Sequence, residues 1–390
     1  MPEAYIVSTL RTAGGRKGGR LAGWHPADLA AAILDATVDR AGVDPAAIDD
    51  VIMGCVGQAG EQSAHVGRNA VLASKLPQSV PAVTIDRQCG SSQQSIHFAA
   101  QAVMSGTQDL VIAAGVESMT RVPMGLPTTL PMQNGMGTPW PESIQQRFGV
   151  PMFSQFVGAG MIAAKYGFSR EELDRFALTS HEKAIAAIEA DAFADEIVAV
   201  EIDAPEGGRE QHVVDEGIRF DASYDSISSV KLLDPNGVIS AANASQICDG
   251  ASAVLIASAA AVKAHGLTPL ARIHNLTVTA GDPVVMLEEP LYATDKALAR
   301  AGLGIGDVDL FEVNEAFAPV PLAWLRHTGA DPARLNVNGG AIALGHPLGA
   351  SGSKLMATLV HALHRRGGRY GLQTMCEGGG IANVTIVERL

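Results

Sequence analysis

The chain has 390 residues, 47% of them apolar and 18% charged, which is enough apolar surface for a large core and too much for intrinsic disorder. At roughly 150 residues per domain this length allows two or three domains, or one large one. The net charge of −13 excludes a duplex-binding surface unless a basic patch stands out, and the densest cationic stretch is only four residues spread among glycines between Arg11 and Arg20.

Cys55, Cys89, Cys248 and Cys376 form no CxxC pair. That argues against a zinc knuckle or disulfide scaffold and for a reducing compartment. The N-terminus has no apolar run of signal length, and no window reaches about 18 uninterrupted apolar residues. The expectation is a soluble, cytoplasmic protein with no membrane span and no nucleic-acid partner.

In chain order, the glycine run 14–19 reads as a surface turn, because it lacks a long preceding strand and the Lys-Ser/Thr end of a phosphate loop. A helical pattern covers 28–41 and closes at Gly42, and a short apolar strand covers 51–53. An extended stretch, 82–85, leads into a Gly/Ser turn at 89–91 and a helix over 92–104 that ends at Gly106. Another strand is expected over 109–114. Residues 119–161 read as irregular, with six of the twelve methionines and six of the twenty prolines. Methionine-rich stretches are ordinarily adaptable core filler, and the alternative is a pliable wall against an apolar ligand. An amphipathic helix over 169–190 opens with the capping box Ser169…Glu172. Past Cys248 the pattern returns: helix 294–301 before Gly302, strand 310–313, a glycine-rich turn, helix 351–364 before Gly367, and strand 370–375.

The return is a repeat. Arg40-Ala41-Gly42-Val43 is echoed by Arg300-Ala301-Gly302-Leu303, and Ile48-Asp49 by Val308-Asp309. Gly106 matches Gly367 and Gly115 matches Cys376, with the offset constant to within one residue. Strands alternating with helices mean βαβ units, and two copies mean two stacked α/β halves. Ligands then gather at the carboxyl ends of the strands.

Several residues at those ends could carry chemistry. Cys89 lies between an extended stretch and a helix start, where the positive end of the helix favours thiolate, although a buried structural cysteine is the plain alternative. Cys376 follows strand 370–375 at what looks like the equivalent point of the second copy, and Gly378-Gly379-Gly380 could aim N–H groups at an anionic oxygen or simply form a tight turn. His346 sits among glycines just before a helix, in the turn equivalent to the region before Cys89. Asn314 follows strand 310–313 and could hold a substrate oxygen or water, or cap the next helix. His361 and His364 lie three apart on a helix with no further ligand nearby and read as a solvated face.

Cys-Gly-Ser at 89–91, Asn-Glu-Ala-Phe at 314–317, Gly-His-Pro at 345–347 with Gly-Ala-Ser-Gly at 349–352, and Cys-x-Gly-Gly-Gly at 376–380 together resemble the thiolase family over the full length. The resemblance implies an α/β fold of duplicated five-layered α-β-α-β-α architecture with an inserted loop domain. The N-terminal half would be 1–118 plus 249–267, the CoA-binding loop domain 119–248, and the C-terminal half 268–390. It implies CoA-dependent cleavage of 3-ketoacyl-CoA to acyl-CoA and acetyl-CoA, with coenzyme A as cosubstrate and no permanently bound cofactor or metal. Cys89 would be the nucleophile, His346 its activator, Cys376 the acid/base at the α-carbon or thiol, and Asn314 the holder of a water. The N–H groups of Cys89 and Gly378 would form an oxyanion hole, and Phe317 would line the acyl pocket. Arg219 and Ser226, in the segment 219–231, and Ser245 would contact CoA. Acyl-CoA substrates, a homodimer or homotetramer and other β-oxidation enzymes would be its partners.

The chain departs from the family pattern at Ser92, Glu377 and Ala382. Ser154 and Gln155 stand where the acetoacetyl-CoA-making branch usually has a His-Met pair, which favours degradation of fatty-acyl or sterol-derived chains. The run 369–390 resembles actinobacterial members, some linked to sterol breakdown. The alternatives are a biosynthetic acetoacetyl-CoA thiolase, a non-catalytic CoA-binding scaffold of a β-oxidation complex and a cysteine hydrolase. A decarboxylating ketosynthase fits less well, since it would use a second histidine where Asn314-Glu315 stands.

Overall fold

The computed structural model describes residues 2–204 and 207–390. The N-terminal elements are β1 (Ala4–Thr12), α1 (Pro26–Ala41), β2 (Asp50–Gly54), α2 (Val66–Ala73), β3 (Ala82–Ile85), α3 (Ser91–Ser105) and β4 (Leu110–Ser118). Four helices follow: α4 (Leu126–Gln133), α5 (Glu142–Phe148), α6 (Gln155–Tyr166) and α7 (Arg170–Glu189). The chain then forms β5 (Cys248–Ser258), β6 (Ala271–Ala280), α8 (Glu289–Ala301), β7 (Leu310–Val313), α9 (Pro319–Thr328), α10 (Ser351–Arg366), β8 (Tyr370–Glu377) and β9 (Ile381–Arg389).

The large sheet runs β7-β8-β9-β6-β1-β5-β4-β2-β3. The two halves of that order mirror one another about the β6–β1 junction, where only Tyr5↔Arg272 and Ile6↔Ala271 pair. Three cores alternate with the sheet. One joins α1 and α2 to the N-terminal strands, and a second holds α3 and α10 between the halves. The third joins α6 to α9 with the C-terminal strands. The result is five layers, with α3 and α10 as the shared middle one. β4 and β5 are buried almost end to end, as strands covered by helices on both faces must be.

Local chemistry sets the helix ends. α1 starts at Pro26, a residue pre-set for the first helical position, and so runs two residues ahead of the sequence expectation. α8 likewise begins at Glu289, with Pro290 in its first turn, rather than at 294. The repeat-related helices α3 and α10 both stop at a left-handed glycine, Gly106 (φ 77°) and Gly367 (φ 70°). α7 carries the Ser169/Glu172 capping box complete.

Three expectations change. Segment 119–161 is irregular only in part, since it also forms α4, α5 and the first turns of α6, and five of its six methionines are not core filler: Met124, Met132, Met136, Met152 and Met161 are exposed, whereas Met119 is buried. The glycine run is preceded by the long strand β1, and Gly15–Arg16 pairs with Cys248 and Asp249, so it is partly sheet. His361 and His364 are not simply solvated, since each ring faces a main-chain carbonyl, of Thr9 and Leu270 respectively.

Candidate active site

The Cys89 turn leaves β3 and enters α3. Gln88 adopts a left-handed backbone (φ 49°), a strained conformation for a residue with a side chain. Short local bonds hold it there. The Gln88 N–H donates to Asp86 Oδ1 (2.6 Å), the Arg87 N–H to Ser91 Oγ (2.9 Å), and the Ser91 hydroxyl to the Gln88 carbonyl (2.6 Å). Cys89 is thereby pushed to the crest, buried and packed with Leu348, Leu355 and Met375. Leu348 belongs to the His346 turn and Met375 precedes Cys376, so the three sequence motifs converge on this thiol.

The His346 turn sits ahead of α10. Its N–H donates to the Gln246 carbonyl (3.1 Å). The Ser351 hydroxyl donates to the Pro347 carbonyl (2.9 Å), which leaves its oxygen to accept from His346 Nδ1–H at 2.5 Å. That assignment places the free lone pair on Nε2, where Asn314 Nδ2 approaches to 3.3 Å. Burial, aided by the Lys354 charge, pushes the His346 pKa down to about 3, so the imidazole rests neutral. The Cys89 thiol is pushed up to about 12, chiefly by burial and then by Glu377. Burial thus opposes the thiolate that a helix start favours, because it penalises the charged form.

Cys376 is not in a turn beyond the strand but within β8, opposite Ala382. Its repeat counterpart is accordingly Gly115 on β4 rather than the Cys89 turn. Burial, then Cys89, then Glu377 raise its thiol well above the usual range. Glu377 lies directly behind the nucleophile turn, where a Cβ on Gly90 would sit 1.9 Å from its carboxylate. Gly378 lies against the Gln88 side chain, where a Cβ would sit 2.8 Å from Gln88 Oε1. The N–H groups of Cys89 and Gly378 donate to no main-chain acceptor among the described residues.

Sequence reasoning passed over the residues that brace this site. Buried Glu315 accepts from Ser180 Oγ (2.6 Å), Asn336 Nδ2 (2.9 Å) and the Ile342 N–H (3.1 Å), tying the end of β7 to α7 and to the loop that carries His346. Glu117, at the end of β4, accepts from the N–H groups of Val56, Gly57 and Gly349. Gln246 reaches the Gly217 and Ile342 carbonyls at 2.7 Å each, joining the 217–219 segment to the His346 loop. An acidic residue inside an apolar strand, as at Glu117, was the available signal.

Phe317 is buried and meets Phe156 edge-on, with ring centroids 5.6 Å apart, and Phe156 is itself exposed. Ser245 donates its N–H to the Ala316 carbonyl (2.9 Å), which places it beside the Asn314 loop. Arg219 is exposed, with its N–H on His181 Nδ1 (3.3 Å) and its guanidinium in no ion pair among the described residues. The Ser226 hydroxyl is engaged locally. It donates to the Ser223 carbonyl (2.8 Å) and accepts from the Ser223 N–H (3.0 Å), closing the capping box of the short helix Tyr224–Ser228.

A cleft of about 800 Å³ lies away from these residues, between the 16–25 turn and the hairpin Val200–Asp203/Arg209–His212. Its arginines 16, 20 and 209 are each paired with carboxylates. No group of three or more His, Cys, Asp or Glu residues suited to a metal occurs among the described residues, and no helix there is long and apolar enough to cross a membrane.

Comparison with known proteins bears on the whole chain. The family described as Thiolase, N-terminal domain matches residues 4–260, and Thiolase, C-terminal domain matches 267–389. A steroid 3-ketoacyl-CoA thiolase of Mycobacterium tuberculosis is 54% identical, over 100% of this chain and 95% of its own length. The crystal structure of human mitochondrial 3-ketoacyl-CoA thiolase superposes with a TM-score of 0.89 at 37% identity, covering 100% of this chain and 99% of that one. The same human protein in complex with CoA gives 0.88 at 37% identity, over 100% and 98%. The chain belongs to the thiolase family.

Proposed function

We propose that this protein cleaves a 3-ketoacyl-CoA with free CoA to give acyl-CoA and acetyl-CoA, through an acyl-enzyme on Cys89. The observation that carries the reading is the His346 pair of hydrogen bonds. Ser351 takes Nδ1–H and leaves Nε2 as a base beside Asn314, on a turn packed against the Cys89 thiol.

Both thiol and imidazole rest uncharged, so the proton passes to Nε2 as sulfur attacks the 3-keto carbon. The C2–C3 bond breaks and its electron pair becomes the enolate of acetyl-CoA, which takes its proton from Cys376. Cys376 thiolate then removes the proton of the incoming CoA thiol. CoA attacks the thioester, acyl-CoA leaves, and imidazolium returns its proton to Cys89. The 3-keto oxygen takes negative charge as sulfur attacks C3, and the N–H groups of Cys89 and Gly378 are its donors, while His346 with a water held by Asn314 binds the thioester oxygen that becomes the enolate. One such donor is worth on the order of 100-fold in rate.

The loop domain, 119–248 between halves 1–118 plus 249–267 and 268–390, holds the cosubstrate in this reading. Arg219, with no carboxylate on its guanidinium, meets CoA phosphate, and Ser245, beside the Asn314 loop, meets the pantetheine arm. Ser226 contributes less, since its hydroxyl is engaged in the capping box. The Phe317–Phe156 contact lines the acyl end. Ser154 caps α6 and Gln155 reaches Met124 Sδ, and neither is the histidine or methionine of the His-Met pair usual in acetoacetyl-CoA makers. Degradation is therefore the direction proposed, of bulky apolar chains such as fatty-acyl or sterol-derived ones. The name of the mycobacterial relative supports the sterol side. A cytoplasmic homodimer or homotetramer completes the proposal.

The test is thiolysis of short, medium, long and cyclic 3-ketoacyl-CoAs, with and without free CoA, read by product mass. Cleavage that needs CoA and disappears in Cys89→Ala supports the reading. Cleavage that persists in Cys89→Ala removes it, and cleavage without CoA identifies a hydrolase instead.

A further inference from the structure

Beside Asn314 lies a small cavity walled by buried residues, Glu312, Asn314, Leu344, Ser351, Lys354 and Thr358 among them. Its volume, counted over the centres of water-sized spheres, is about 10 Å³, which is room for a single water. Glu312 and Asn314 are two apart on and just past β7, so their side chains share a face of the strand. Each is 1% exposed. Glu312 Oε2 and Asn314 Oδ1 both lack a hydrogen-bond partner among the described residues, although both residues line this space. Two unpartnered polar atoms at one water-sized cavity are the chemistry of a built water site.

We propose that one enclosed water bridges Glu312 to Asn314, and that Glu312 is a positioning residue for the Asn314 amide. Burial holds the Glu312 carboxyl protonated, well above the usual carboxylate range, with the negative neighbours Glu315 and Glu196 adding to that and Lys183 and Arg11 opposing it. The acid O–H donates to the water, and the water donates to Asn314 Oδ1. An amide whose Oδ1 is occupied by that water has one orientation left, with Nδ2 toward His346 Nε2, as found at 3.3 Å. Without that bridge the amide can turn over and present oxygen to the base. The role rests on the thiolase reading of Asn314, but the water site itself does not.

The experiment is a crystal structure of the wild-type protein at a resolution that orders buried waters, alongside thiolysis kinetics of Glu312→Gln and Glu312→Leu. A water peak within hydrogen-bond distance of both Glu312 and Asn314 is expected, and a dry cavity overturns the proposal whatever the kinetics. Glu312→Gln keeps a donor and an acceptor and retains kcat within about threefold. Glu312→Leu fills the cavity and lowers kcat at least tenfold, with KM for CoA and Tm held. A kcat loss matched by a fall in Tm in both variants would make Glu312 structural only and overturn the positioning role. Wild-type protein that shows the water but no thiolysis would instead refute the function proposed above and leave the water site standing.

Discussion

Ser351→Ala removes the acceptor for the Nδ1–H of His346 without touching Cys89, Asn314 or Cys376. In the resting enzyme the lost bond leaves a buried N–H unpaired. In the transition state it leaves an imidazolium N–H unpaired, and a hydrogen bond from a charged group is worth about 1.5–3 kcal/mol. At about 1.4 kcal/mol per decade, kcat should fall about 10- to 150-fold. The stability loss is smaller in its visible effect: about 1 kcal/mol spread over a chain of this size shifts Tm by only about 1 °C. The assay is steady-state thiolysis with stopped-flow measurement of Cys89 acylation, and KM for CoA should not move, because Ser351 lies behind the imidazole. Ser351→Thr retains the hydroxyl and should recover most of the rate. A Ser351→Ala enzyme within twofold of wild-type kcat would refute the argument that the Nδ1 hydrogen bond sets the base. Equal losses in both variants would point to packing instead.

Gly352→Ala should destabilise, because its Cβ would lie 2.1 Å from Gln93 N where α3 and α10 touch, and main chain cannot move aside. A cost of about 3 kcal/mol, or about 4 °C in Tm for this length, is expected by calorimetry. The same change at Gly160, a helical site with nothing within 4 Å, should raise stability by about 0.5–1 kcal/mol, so equal effects at the two sites would refute the packing argument. His97 is held near pKa 3 by burial, so wild-type folding stability should fall relative to His97→Gln as pH drops from about 6.5 toward 3, by at most about 1.4 kcal/mol per pH unit. Unfolding titrations read this, and a flat difference across that window would show that His97 is not kept neutral. Arg219→Ala should raise KM for CoA with little change in kcat, and an unchanged KM would move the nucleotide site elsewhere.

The sequence by itself determined the duplication, the glycine stops of the helices and the chemistry-bearing motifs. Those features are carried by a few letters each: a glycine able to adopt positive φ after α3 or α10, the capping box that opens α7, and a cysteine or histidine wedged between a strand and a helix. Full-length likeness then brought the α/β thiolase fold with it. Whether a group is charged was beyond its reach. The start of α3 argues for a thiolate at Cys89, but the thiol is closed in by Leu348, Leu355 and Met375, and desolvation there is a sum over segments far apart in the chain. The braces were equally hidden. Glu315 gains its partners from α7, from Asn336 and from the His346 loop, and in the sequence it reads only as part of a motif. Met136 and its neighbours read as core because apolar residues usually are, and only the packed chain leaves them facing outward. Bonds made within a few residues were visible in the order of the letters, whereas burial, and with it every protonation state at this site, depends on contacts that only tertiary structure brings together.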